Sequence, residues 1–408
     1  LTGLLVVLSH MREHPNEAST LLRGFSADFA DELARCALDA ARALHSASRQ
    51  QFGLVSLDLA VNAALEAQRE FLFAVTSGRL SNGERTEALG KYAVAVALSA
   101  RWSRPDINVL RRAYMFQRNS IEEGNQAPEA YMYLVELLGE LFNQTGDSES
   151  LGEALRVATA ESLALAEAEL LLKRGLWKAE QGQQGSIADL QRASEVARAA
   201  HPRTGVEHVQ RALIREMALS AIIGKRPLGS HELRLPYGFL QDLPSLAPAR
   251  LAETVEIVVN GLTPMREDLR ARRARPNLVA QQVLAAIYRQ VLERSEFGSM
   301  EAADLLVEAT ADAASAAVGS RHLQWQQADA LLARAITSSR EADIAAAIAK
   351  ANELTETYTS WPLPRVTLAR SLQLSARSAG SSTTATDVEQ AWSDAINLVT
   401  SSAEFRRA

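Results

Sequence analysis

The sequence predicts an all-α solenoid of about eight helix-turn-helix repeats. Three observations carry that expectation. A short word recurs along the chain: Ser or Asp, an aliphatic residue, two free positions, then a small or aliphatic residue. It stands at Ser56, Asp106, Ser150, Asp189, Ser245, Ser299, Asp343 and Asp387. Seven steps over the 331 residues from Ser56 to Asp387 give a mean spacing of about 47, within the range of helical-pair repeats. The second observation is composition. Ala and Leu dominate, and only 21 Gly and 12 Pro are spread over 408 residues, which favours helix throughout. The third is periodicity: Ile344, Ala347, Ile348, Ala351 and Leu354 form one apolar stripe at helical spacing.

The physics of the word fits the start of a helix. Ser and Asp accept hydrogen bonds from the free N–H groups of a first turn. An aliphatic residue and an Ala three apart share one face, and the small side chain lets a neighbouring helix come close. The steps vary from 39 to 56 residues, so the repeat is ragged.

Taken in order, residues 1–14 read as a short apolar helix closed by Pro15. An Ala-rich helical region follows over 19–47, holding Phe25, Phe29, Leu33, Cys36 and Leu44; residues 1–50 are expected to form an N-terminal helical cap. Helices are predicted at 56–77, 84–102 and 106–122, broken by Gly78 and Ser81-Asn82-Gly83 and by Arg104-Pro105. Pro128 sits in the first turn of the next helix, where its missing N–H costs nothing. There Val135, Leu138, Gly139 and Phe142 occupy i, i+3, i+4 and i+7. Thr145-Gly146-Asp147 ends the helix, and Ser150 is read as the cap of its partner.

Leu138-Gly139-x-x-Phe142-x-x-x-Gly146-Asp147 resembles the first helix and turn of a tetratricopeptide repeat, which sets a small residue where two helices touch. Thr337-Ser338-Ser339-Arg340-Glu341-Ala342-Asp343-Ile344 follows the same plan, as does Ile187-Ala188-Asp189-Leu190. The resemblance covers roughly residues 50–400, and 128–160 is the unit nearest a full motif. It points to the divergent repeats of large bacterial proteins that carry a CHAT peptidase or a STAND-type NTPase elsewhere. It implies a right-handed solenoid whose concave face, lined by the first helix of each pair, holds a protein or peptide partner. On that reading Tyr131, Trp177, Lys178 and Trp325 are contact candidates. The competing reading is that aromatic residues at helical spacing are core.

A helix is expected over 205–223, then an irregular stretch from Gly224 to Pro248 that holds four prolines. Loops of this length are often functional, and Arg234, Tyr237 and Phe239 are its candidate contacts. The alternative is an insertion that packs its apolar residues on the stack. The stretch also divides the expected repeats into 51–223 and 249–408. Helices are predicted at 246–260 and 266–274, then from 278 and over 299–317, 321–338, 343–358, 364–378 and 387–401. Trp361-Pro362-Leu363-Pro364 reads as a stiff turn.

Chemistry-bearing motifs are sparse. One cysteine, Cys36, excludes a disulfide framework and a cysteine zinc site, and fits a reducing cytoplasm. No glycine-rich phosphate loop occurs, since Gly224-Lys225-Arg226 lacks the upstream Gly and the Ser or Thr. His10-Met11-Arg12-Glu13-His14 spells an inverted-zincin word, and a zinc-dependent hydrolase is one alternative function. Pro15 pushes His14 out of helical geometry, however, so neither a catalytic nor a metal site is assigned. Arg266, Arg270, Arg272, Arg273 and Arg275 form a basic patch, which a nucleic-acid-binding repeat would use. No aromatic stacking partners accompany them, and 43 basic against 49 acidic residues give a net charge of −6, so nucleic acid is not the expected partner. No cofactor is expected. The run Leu4–Leu8 is too short to span a membrane. Only five of the basic residues are Lys, a bias of the kind a GC-rich, actinobacterial-type genome imposes. A first residue of Leu rather than Met fits an unusual start codon or an internal piece of a longer chain. The expectation for function is a non-enzymatic interaction scaffold or sensor, the recognition part of a bacterial regulatory or defence system with its effector elsewhere.

Overall fold

The computed structural model describes residues 27–51, 57–100, 105–236, 238–271, 278–294, 299–378 and 382–401. Among them there is no strand, and sixteen α-helices follow one another. We number them α1 (Ala27–Gln51), α2 (Leu57–Thr76), α3 (Asn82–Ala100), α4 (Ile107–Glu122), α5 (Pro128–Thr145), α6 (Ser148–Ala160), α7 (Ala164–Glu180), α8 (Ser186–Ala199) and α9 (Gly205–Ile222). After an irregular segment come α10 (Pro248–Ala271), α11 (Leu278–Glu293), α12 (Met300–Ala316), α13 (Arg321–Ser338), α14 (Glu341–Thr357), α15 (Pro362–Ala376) and α16 (Ala385–Ser401). The expected α-solenoid is the architecture: consecutive helices pack on one another from α1 through to α9, and again from α11 through to α16. The expected helices at 246–260 and 266–274 are instead the single α10, which runs on through Pro264.

The recurring word falls at the starts of the even-numbered helices, but its polar residue does different work at each. Asp106 and Ser299 are true caps; their side chains accept from the N–H groups of Asn108 and Ala302. Ahead of α6 the cap is Asp147, which accepts from the N–H groups of Glu149 and Ser150, so Ser150 lies inside the first turn. Asp189 and Asp343 also sit inside the first turn. Arginines of the preceding helix hold them: Arg174 pairs with Asp189 through two contacts of 2.6 and 2.9 Å, and Arg334 with Asp343 at 2.9 Å. Asp387 accepts from the backbone and hydroxyl of Thr384, whose hydroxyl in turn accepts from the Asp387 N–H, a reciprocal box. The copy at Ser245 lies in a 3-10 turn, Leu243–Ser245, three residues ahead of α10. Ser56 lies outside the described residues.

Apolar stripes fill the space between helices. Ala30, Leu38, Ala64, Phe71, Tyr92, Leu110 and Leu137 belong to one buried cluster that joins α1 through α5, so α1 shares its core with the helices after it. A second cluster joins α5, α6 and α7 around Leu138, Phe142, Leu151 and Leu170. Gly175 lets α7 come close to α8. A Cβ there would stand 2.8 Å from Leu190 Cγ and 3.2 Å from the Leu190 backbone N. The turn after α5 uses Gly146 in the left-handed region, φ 71°, whose N–H donates to the Phe142 carbonyl.

Odd-numbered helices also touch the next odd-numbered helix: α1 with α3, α3 with α5, α5 with α7, α7 with α9, and α13 with α15. Within each unit, the odd helices so joined lie on one side and the even helices on the other. The chain divides into two compact units, Leu1–Gly261 and Leu262–Ala408, at a point inside α10.

Candidate functional site

The segment between α9 and α10 is a strap laid on the odd-helix layer of the first unit. Leu228, Leu233, Leu235, Phe239, Leu243 and Leu246 are all buried, so its apolar residues pack on the stack. Polar contacts fix it in place. The Ser230 backbone N–H and hydroxyl both donate to the Glu180 carboxylate of α7, each at 2.7 Å. The His231 ring stacks on Phe142 of α5 with centroids 4.9 Å apart. The Leu235 N–H points to Glu169 at 3.4 Å. Arg250 of α10 donates to the Pro227 carbonyl at 2.6 Å and pairs with Glu232, which holds the near end of the strap.

Arg234 is the central anchor. Its Nε donates to Glu140 of α5 at 3.2 Å, and its Nη1 to Asp242 within the strap at 3.4 Å. All three side chains are less than a tenth exposed. Buried charges are tolerated only when paired and hydrogen-bonded, and here they are. Glu140 also accepts from Asn143 at 2.8 Å, and Glu169 from Gln210 at 2.7 Å. Lys173 donates to Asn143 at 3.3 Å and lies 3.6 Å from Glu169. Burial pushes the Lys173 ammonium below its ordinary pKa, while Glu169 and Glu140 pull the other way. Beside this network a cavity of about 80 Å³ remains, lined by Glu136, Glu140, Glu169, Lys173, Arg234 and Leu235 among others.

The sequence candidates are distributed unevenly around this arrangement. Phe239 is fully buried and Arg234 nearly so; both face the stack rather than solvent, because the strap's apolar residues fold down onto the helices. Tyr237 lies outside the described residues. Tyr131 is half-buried on α5. Trp177 on α7 packs partly buried against the α5–α7 core, and Lys178 is held by Asp189 at 2.7 Å. Trp325 belongs to the second unit. Its indole N–H donates to the Thr367 hydroxyl at 3.0 Å, and its ring meets Trp361 edge-on. Trp361, expected only as a stiff turn, is 2% exposed and gathers Trp325, Tyr358, His322 and the Arg321 guanidinium around it. Arg266 and Arg270 fall on α10, but their side chains lie outside what is described, as do Arg272, Arg273 and Arg275 altogether. His10 and His14 lie outside it too.

Glu140, Glu169, Lys173 and Asp242 were not singled out by the sequence. A signal was present: Glu140 interrupts Leu137-Leu138-Gly139 and Leu141-Phe142, and Lys173 follows Leu170-Leu171-Leu172. A charge set inside an apolar run predicts a buried partner. The partner's identity is a matter of the strap's path, which no local pattern encodes.

Among the described residues no group of His, Cys, Asp and Glu has the arrangement of a metal site, and no helix is long and apolar enough to cross a membrane. No family model matches the chain, and no curated protein matches it.

Proposed function

We propose that this chain is a non-enzymatic partner-binding module, built on tetratricopeptide-like repeats, that holds a protein or peptide segment on the odd helices of its first unit. One observation carries the reading. Residues 228–236 and 238–243 of the chain itself lie on α5 and α7 as a segment of turns and a 3-10 helix, and helix side chains receive both its backbone and its side chains. Repeat stacks commonly use one face in this way. The resemblance of 128–160 to a tetratricopeptide unit makes that face the concave one. By the same resemblance the chain is the recognition part of a cytoplasmic bacterial system, with a CHAT- or STAND-type effector elsewhere.

Position-specific crosslinking tests the layer. A photoreactive side chain is placed at Tyr131 or Trp177 on odd helices of the first unit, and at the exposed Met115 or Ile187 on its even ones. In cells, the two odd-helix positions are expected to yield one shared partner band that the even-helix positions lack. Equal capture on both layers, or none at either odd position, overturns the reading.

A further inference from the structure

Lys173 differs from the other four lysines of the chain. Lys91, Lys178, Lys225 and Lys350 are surface ion pairs, 17 to 40% exposed. Lys91 pairs with Glu87, and the other three meet Asp189, Glu256 and Glu353 at 2.7, 2.7 and 2.8 Å. The Lys173 side chain is 6% exposed, and its Nζ stands 3.6 Å from Glu169. It donates to the Asn143 amide oxygen at 3.3 Å. An ammonium carries three donors, so this one is held more loosely than the others. Burial is the largest influence on its charge and lowers its pKa; Glu169 and Glu140 raise it, and Arg234 lowers it again. A lysine so placed carries more of the neutral amine, the nucleophilic form, than a surface lysine at the same pH.

The cavity gives this amine access. Lys173 lines a half-open pocket of about 80 Å³ between α3, α5, α7, α9 and the strap. Ala97, Ala100, Val135, Leu170 and Leu235 make much of the wall apolar. At about 30 Å³ for each water of the liquid, the space suits a molecule of a few heavy atoms.

We propose that Lys173 is a covalent capture site for a small uncharged aldehyde, which condenses with Nζ to an imine inside the pocket. The nitrogen lone pair attacks the carbonyl carbon, so a C–N bond forms while the carbonyl π pair moves to oxygen. Glu169 lies close enough to Nζ to carry a proton from the nitrogen to that oxygen. A further proton lent to the hydroxyl releases it as water, and the C=N bond is left with an N–H proton that can be returned in exchange. Amine and aldehyde thus give imine and water, and nothing is oxidised or reduced. The carboxylates of Glu140 and Glu169 favour a protonated imine and oppose an aldehyde that carries a carboxylate of its own. The apolar wall receives the alkyl chain. This site does not depend on whether the odd helices hold a protein partner.

The test treats the full chain with butyraldehyde and sodium cyanoborohydride near neutral pH. The hydride reduces the imine to a stable secondary amine, and peptide mass spectrometry follows each of the five lysines. Lys173 is expected to be butylated at least ten-fold faster than any of the other four, at a rate that levels off as the aldehyde is raised. Measured against the surface lysines, glyoxylate should label Lys173 at least ten-fold less well than butyraldehyde does. Ala166→Leu, on the pocket wall, should slow Lys173 at least five-fold and leave the surface lysines unchanged. If that variant does not fold, the two aldehydes on the unaltered chain carry the test. Butylation of Lys173 no faster than at the surface, a rate that never levels off, or an equal preference for glyoxylate overturns the proposal.

Discussion

Arg234→Ala should open the strap and leave the helices beneath it folded. The side chain is 6% exposed, as is Glu140, and Asp242 is 9% exposed. Removing one member of a buried ion pair costs about 3–5 kcal/mol, because the remaining charge stays desolvated without its counter-ion. We expect the lower end, about 3 kcal/mol, since Glu140 keeps its hydrogen bond from Asn143 and a contact from Gln144 at 3.4 Å. With RT near 0.59 kcal/mol, that is on the order of 10²-fold in the strap's opening equilibrium. Hydrogen exchange read by mass spectrometry suits a chain of two compact units, for which a single unfolding midpoint is poorly defined. Amides in 228–243 should exchange about 10²-fold faster, or reach the limit of an open chain, while those of α5 and α7 change less than about ten-fold. Combining Arg234→Met with Glu140→Gln, neutral on both sides, should return at least half of the loss. The reasoning is refuted if strap exchange stays within about five-fold of the unaltered chain, or if strap and helices accelerate together by one factor.

Other substitutions probe the frame. Gly175→Ala should destabilise the first unit by roughly 1–3 kcal/mol in urea titrations, because its Cβ would press on Leu190 and the neighbouring backbone cannot yield. Gly152→Ala, in the middle of α6 with nothing within 4 Å of the new Cβ, should stabilise by about 1 kcal/mol through helix propensity alone; a loss there would show that crowding is not what separates the two sites. Glu87 gives a pH test. Hydrogen bonds from Arg42 and Lys91 hold its carboxyl down at about 2, against an ordinary value of 4.5. Its contribution is therefore complete above pH 4.5 and is lost as pH falls toward 2. The stability difference between the unaltered chain and Glu87→Gln, followed by circular dichroism at pH 7, 4 and 3, should shrink steadily. A difference independent of pH would mean that the pairing adds nothing. The side chain is 37% exposed, so solvent screening keeps the effect small.

Helices were legible because their causes are local. Propensity, a stripe at 3.6 residues and a first-turn acceptor all lie within a dozen residues of one another, and each copy of the word among the described residues lies at or just before the start of an even helix. The role of its polar residue was less legible. Asp106 caps, whereas Asp189 and Asp343 bind arginines from the previous helix, and the same letter serves either purpose. Pro264 misled for a related reason: a proline lowers the odds of helix but does not forbid it, and α10 continues through it. The candidate site was half visible. Arg234 and Phe239 stood out within an irregular stretch, but their direction depends on Glu140 and Glu180, which are 94 and 50 residues from their strap partners.

That separation also explains why the strap bears on function as well as stability. The segment contributes no α-helix of its own, and apart from its turns and the Arg234–Asp242 pair its anchors are Glu140, Glu169 and Glu180 of distant helices, so its attachment depends on the face that receives it. Segments with few local bonds are drawn from the low-stability end of a structure. The face beneath is the reverse: α5 and α7 are held by their own backbone ladders and by a shared core around Leu138, Phe142 and Leu170. A weakly self-supporting segment on a strongly self-supporting surface can open without unfolding the helices beneath it. Phe142 carries the His231 ring of the strap, and Leu170 lines the cavity beside Leu235 of the strap, so an opened strap uncovers these apolar side chains together with Glu140, Glu169 and Lys173. That apolar surface is what drives the strap back onto the face, and it ties the strap's closure to the burial of Phe142 and Leu170 as well as to the Arg234 pairs.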